Sequence, residues 1–275
     1  MSRLVRTLFR QIGVTFWLLV LTIVLFFVFS GLMLVGVLDI GMIEVQPRAL
    51  LEGKAPWTLI TSMFMHQSFF HLFVNMFTLF FLGAFCEKVI GAKRFLSLYL
   101  IGGVVASAFY VVGAWFGTFI PRGDWIFGGL DTYAAGASGA LFCLLGVMAV
   151  LIPRHRIYLI AGPLIVFIAQ VLVKQLYPAP WLLFLLNLIL FGMLFTFFSF
   201  NQQLKRYALP LALPLAWAPV VAIVPLVLLS FLFPLPIGNM AHLGGLVVGV
   251  IYGFYLVLSY PNKIKLLRRF FYATH

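Results

Sequence analysis

Charge is scarce in these 275 residues: only 9% are Asp, Glu, Lys or Arg, where an average soluble protein carries about a quarter. So few charges cannot cover the surface of a water-soluble domain of this size. Soluble enzymes, nucleic-acid binders and disordered proteins are thereby excluded. Cysteine is nearly absent, and Cys86 and Cys143 show neither metal-ligand spacing nor a disulfide framework. No His-Glu-x-x-His stretch exists to hold zinc. The three aspartates, Asp39, Asp124 and Asp131, lie in loops or at helix ends, which removes the paired carboxylates of aspartyl chemistry. No cofactor motif is present, so no cofactor or metal is expected.

What the chain has in excess is apolar sequence, 64% of all residues. A helix needs about 20 apolar residues to cross about 30 Å of hydrocarbon. Eight stretches qualify, at 14–38, 67–86, 93–117, 136–152, 156–174, 181–200, 208–233 and 239–259. The first is too long and too poorly punctuated for a cleaved signal peptide. The expected fold class is an all-α polytopic membrane protein of about eight spans, 1–275 forming a single membrane domain.

The distribution of cations tests that count. With the N-terminus inside, the inner segments hold Arg3, Arg6, Arg10, Lys88, Lys93, Arg94, Arg154, Arg156, Lys205, Arg206, Lys263, Lys265, Arg268 and Arg269. Only Arg48, Lys54, Arg122 and Lys174 fall outside. This asymmetry is what the positive-inside rule expects of a chain with both termini cytoplasmic. The outer loop 39–65 is mildly amphipathic and reads as an interfacial segment. The Gly-rich outer loop 118–135 leads into the fourth helix.

Polar side chains are costly in lipid and tend to mark function. One cluster opens the second helix: His66, His71 and Asn75, the last two stacked on one face by their four-residue spacing. A second is Gly136-Ala137-Ser138-Gly139, at the start of the fourth helix. A third is Ala241-His242 with Gly245, Gly249 and Gly253, near the start of the last. The glycines read as a smooth stripe for close helix packing. Taken alone, His66 reads as a boundary residue.

Helices four and eight both run from outside to inside, as does helix two, so the three clusters meet in one leaflet. The 17 residues of 136–152 reach only about 25 Å at about 1.5 Å per residue. The first turn of that helix therefore begins below the membrane surface, where it must line a cavity or be buried in protein. A serine hydroxyl becomes a useful nucleophile when a neighbouring base takes its proton, and His242 is the available base for Ser138. His71, the Asn75 amide and the Ser138 backbone N–H are suitable oxyanion donors. Phe142, one turn below Ser138, is placed to pack against the His242 ring. A transporter or channel would need a polar path across the whole bilayer, and these clusters gather at one side only.

These motifs, His66-x4-His71-x3-Asn75, Gly136-Ala-Ser138-Gly139 and Ala241-His242-x2-Gly245-x3-Gly249, resemble in type and order those of the rhomboid intramembrane serine proteases. The resemblance covers roughly residues 10–152 and 208–260. It implies a six-helix core, with 156–200 as an inserted helix pair. It implies Ser138 as nucleophile, His242 as base, and His71, Asn75 and Gly136 as oxyanion or substrate-binding positions. His66, Phe142, Gly139, Gly245 and Gly249 would be supporting residues. Single-span membrane proteins would be the substrates, cut within the lipid bilayer, with no part for nucleic acid. The alternative is an inactive rhomboid-fold protein that binds membrane clients. Two departures stand out: Trp57-Thr58 replaces the family's frequent Trp-Arg, and Phe142 lacks the hydroxyl of the usual Tyr. The lack of a long transit segment or soluble domain points to a bacterial or archaeal membrane.

Overall fold

A computed structural model describes residues 13–177, 179–198, 210–234 and 238–273. The chain divides into two compact units, one within Met1–Pro153 and Pro219–His275, the other within Arg154–Ala218.

The first unit begins with helix α1 (Val14–Leu34). Helix α2 (Phe69–Ile90) follows the long loop and contains a π-helical turn at Leu79–Gly83. Gly91, at φ +86°, is the whole connection to α3 (Ala92–Gly117); such a φ suits a residue without Cβ. Helix α4 is Ser138–Leu151.

In the second unit, strand β1 (Arg156–Ile160) precedes α5 (Ala161–Leu176) and α6 (Pro180–Phe198). Strand β2 (Pro210–Pro214) then pairs antiparallel with β1, Arg156 opposite Pro214 and Ile160 opposite Pro210. Helix α7 (Ala218–Ser230) follows, and the first unit closes with α8 (Asn239–Ser259) and α9 (Pro261–Ala273).

Each of the eight expected stretches holds a helix. Helices α1, α2, α3 and α8 are long and apolar enough to cross a bilayer, while α4 is a shorter apolar helix. The chain is an all-α polytopic membrane protein, with one two-stranded ribbon among the described residues. The two largest differences from the expected boundaries are both at helix starts. Residues 156–160 are extended, so the helix expected over 156–174 starts at Ala161. The stretch expected over 208–233 is α-helical only from Ala218 to Ser230, after a 3-10 turn at Leu215–Trp217, and 208–209 lie outside the described residues, as do 199–200. Pro210 and Pro214 lack amide donors, and Pro214 holds Leu213 before it extended, while the Ile-Tyr-Leu-Ile run of β1 suits a pleated partner.

The core of the first unit is α4 packed between α3 and α8. A Cβ at Gly245 would collide with the Gly139 carbonyl, one at Gly249 with the Cys143 carbonyl. The glycine stripe of α8 is therefore what lets its backbone lie directly on α4. Loop 39–65 is tied to the loop before α4. Val45 and Ala134 exchange backbone hydrogen bonds at 3.0 and 2.8 Å, and the Arg48 guanidinium grips Asp131 with two nitrogens.

Candidate active site

Helix α4 begins at Ser138 itself, two residues later than expected. The two preceding residues are held by neighbours. Gly136 donates its N–H to the Ser62 carbonyl at 2.9 Å, and the Ala137 N–H points at His66 Nε2 at 3.4 Å. His66 is almost fully buried and stands edge-on to His71, ring centroids 5.1 Å apart. Gly136 adopts φ +139°, and a Cβ there would press on the His71 ring at 2.9 Å. A glycine at this position thus lets His71 lie against the backbone leading into Ser138.

Ser68 caps α2 by accepting the His71 amide hydrogen at 3.1 Å, which starts the helix and sets the rotation of His71 and Asn75. Asn75 is buried and donates one amide hydrogen to the His71 carbonyl at 2.9 Å, one turn back. Among the described residues no second acceptor meets its other amide hydrogen.

His242 lies in the first turn of α8, its own amide bonded to Gly238. Its Nε2 is 2.9 Å from Ser138 Oγ, joining residues 104 apart in sequence. In the Nδ1–H tautomer Nε2 accepts the serine hydroxyl, the geometry needed for proton transfer. Phe142 stacks on the His242 ring at 4.5 Å with the planes tilted by 27°. Both Ser138 and His242 are only partly buried.

The structure thus brings Ser138, His242 and Phe142 into contact. It sets His66, His71 and Gly136 together beside the residues that lead into Ser138. Gly139, Gly245 and Gly249 lie at the α4–α8 contact. Among the described residues, no group of His, Cys, Asp or Glu is arranged to hold a metal ion.

Three positioning residues were not anticipated from sequence. Ser68 had a legible signal, a serine just before an apolar helical run. Asn239 donates to Ser230 Oγ at 2.8 Å and to the Ile126 carbonyl at 3.3 Å, steadying the turn that carries His242. Ser62 acts through its carbonyl, which no side-chain pattern reveals.

The Rhomboid domain family matches residues 53–182 and 186–259. Rhomboid protein 1, mitochondrial, of Saccharomyces cerevisiae is 33% identical over 106 residues, 38% of this chain and 28% of that protein. The putative rhomboid protease YdcA of Bacillus subtilis is 33% identical over 91 residues, 33% of this chain and 39% of that one. The inactive RHOMBOID-like protein 8 of Arabidopsis thaliana is 35% identical over 65 residues, 24% of this chain and 18% of that protein. The matched stretches thus span well under half the length of these relatives. A mitochondrial protein stands beside a bacterial one, so the expectation of a bacterial or archaeal membrane is not borne out.

Proposed function

This chain belongs to the rhomboid family, and from that premise we propose that it is an intramembrane serine endopeptidase cutting transmembrane proteins with a Ser138–His242 dyad. The observation that carries the reading is the 2.9 Å contact between Ser138 Oγ and His242 Nε2. His242 takes the serine proton as Oγ bonds to the scissile carbonyl carbon. The negative charge that develops on the carbonyl oxygen is met by the Ser138 amide, His71 and the free Asn75 N–H. His242 then returns the proton to the leaving amine. Water attacks the acyl-enzyme by the same route, releasing the acid and restoring the serine. No carboxylate is needed to orient His242, because Phe142 stacks on its ring.

The substrate class is single-span membrane proteins. The cation distribution supports eight crossings with both termini cytoplasmic and Ser138 toward the outer leaflet. The segment 156–200 is read as a helix pair inserted into a six-helix core.

A second reading is a non-catalytic family member that binds membrane clients, favoured by the likeness to a relative named as inactive. Cleavage of a reconstituted single-span substrate separates the two. Wild type should cleave, and Ser138→Ala and His242→Ala should not. A fluorophosphonate probe should label Ser138 in wild type and lose that label in His242→Ala. Cleavage that survives either substitution refutes the dyad, and no cleavage or labelling in wild type selects the second reading.

A further inference from the structure

Helix α9 follows α8 after one residue, Tyr260, and carries Lys263, Lys265, Arg268 and Arg269 within 13 residues. Its inner side is fastened to the first unit. Ile264 is buried, and Phe271 meets Phe85 of α2 edge-on at 5.5 Å. Arg268 donates from Nε to the Leu151 carbonyl at 2.9 Å and from Nη2 to the Val150 carbonyl at 3.0 Å. It thereby caps the end of α4 opposite Ser138, where a cation is favoured by the helix dipole.

The outer side has a different character. Lys265 and Arg269, four apart and exposed, flank a cavity of about 610 Å³ whose wall includes Val257 and Ile264. Leu266 and Phe270, also four apart, are 64% and 66% exposed. A cationic strip thus runs beside an apolar strip along one short helix. Arg94, from the start of α3, and Lys263 both lie over the Tyr260 ring, at 5.0 and 5.5 Å.

Among the described residues, no carboxylate answers these cations. The chain has no Asp or Glu after Asp131. Among the described residues, the two ion pairs are Arg48–Asp131 and Lys54–Glu52. Glu87 is occupied by the amides that open α1. Cations gathered without a counter-charge favour an external anion, and the apolar strip beside them favours an acyl boundary. We propose that α9, with Arg94, binds the headgroup of an anionic phospholipid. Lys265 and Arg269 hold the phosphate at the cavity mouth, and Leu266 and Phe270 enter the acyl boundary.

The test uses the full chain, reconstituted into bilayers of equal parts phosphatidylcholine and phosphatidylglycerol. The protein is then extracted, and the lipids it retains are identified by native mass spectrometry. Wild type should retain phosphatidylglycerol in preference to phosphatidylcholine. Lys265→Gln and Arg269→Gln should each lower that ratio by about fivefold, and the exchange variant Lys265→Arg/Arg269→Lys should keep it. Lys54→Gln, in the loop before α2, should leave it unchanged. No preference in wild type overturns the proposal, as does an unchanged ratio in both glutamine variants. An equal loss in Lys54→Gln also overturns it, because retention would then follow net charge alone. The readout is lipid retention, so it stands or fails independently of proteolysis.

Discussion

Glu87 holds Thr15 twice, accepting its amide hydrogen at 2.9 Å and its hydroxyl hydrogen at 2.6 Å. The other carboxylate oxygen accepts the Val14 amide at 2.9 Å, so the last turns of α2 cap the first turn of α1. Gly13 makes room, since a Cβ there would lie 2.8 Å from both carboxylate oxygens. A negative group at a helix N-terminus also complements the dipole. Glu87→Ala should cost about 1–3 kcal/mol, the range for removing a charged acceptor from partly buried donors. Unfolding in mixed micelles measures it, and a loss below that range would mean water replaces the carboxylate.

The glycines of α1 and α8 should respond with opposite signs to the same change. Gly249→Ala drives a Cβ into the Cys143 carbonyl and should destabilise by about 1–3 kcal/mol through overpacking. At Gly31, in α1, a Cβ meets nothing within 4 Å. Gly31→Ala should therefore stabilise by about 0.5–1 kcal/mol, the helix preference for alanine. Thermal unfolding of both variants checks the pair. Equal effects would contradict the close approach of α4 and α8.

Phe142 should matter through its ring alone. Phe142→Tyr should keep activity near wild type, because the stack on His242 at 4.5 Å uses no hydroxyl. Phe142→Leu should lower kcat by roughly threefold to tenfold, from the loss of about 0.5–1.5 kcal/mol of ring stacking. Cleavage kinetics on one reconstituted substrate decide this, and a Leu variant as fast as wild type would remove Phe142 from any positioning role.

Loop 39–65 should loosen as pH rises. Glu44 is buried there, with one carboxylate oxygen lacking a partner among the described residues. Burial pushes its carboxyl up from the ordinary 4.5 to about 7. The folded loop thus binds the proton more tightly than the unfolded chain does. Its stability is fullest below pH 4.5 and is lost as pH rises through 7. Limited proteolysis of the loop across this window should accelerate with pH in wild type and stay flat in Glu44→Gln. A wild-type profile that slows with pH would contradict the sign.

Hydropathy located eight helix-bearing stretches because a long apolar run is a property of each stretch by itself. The stacking of His71 on Asn75 was equally local, since a four-residue spacing decides it within one helix. Helix α9 had a signal in Pro261 at its first position, but its low hydropathy hides it from a search for spans. The β1–β2 ribbon was not legible, because whether Arg156–Ile160 is helical or extended depends on a partner strand distant in sequence. The same holds at the site. Residue types named Ser138 and His242 as partners, but the 2.9 Å between them exists only because Gly245 and Gly249 let α8 rest on the backbone of α4. Sequence by itself determined which groups this protein can use and which helix carries each. Tertiary packing decided which of them touch, because contact between groups on separate helices depends on how closely those helices approach and how each is rotated.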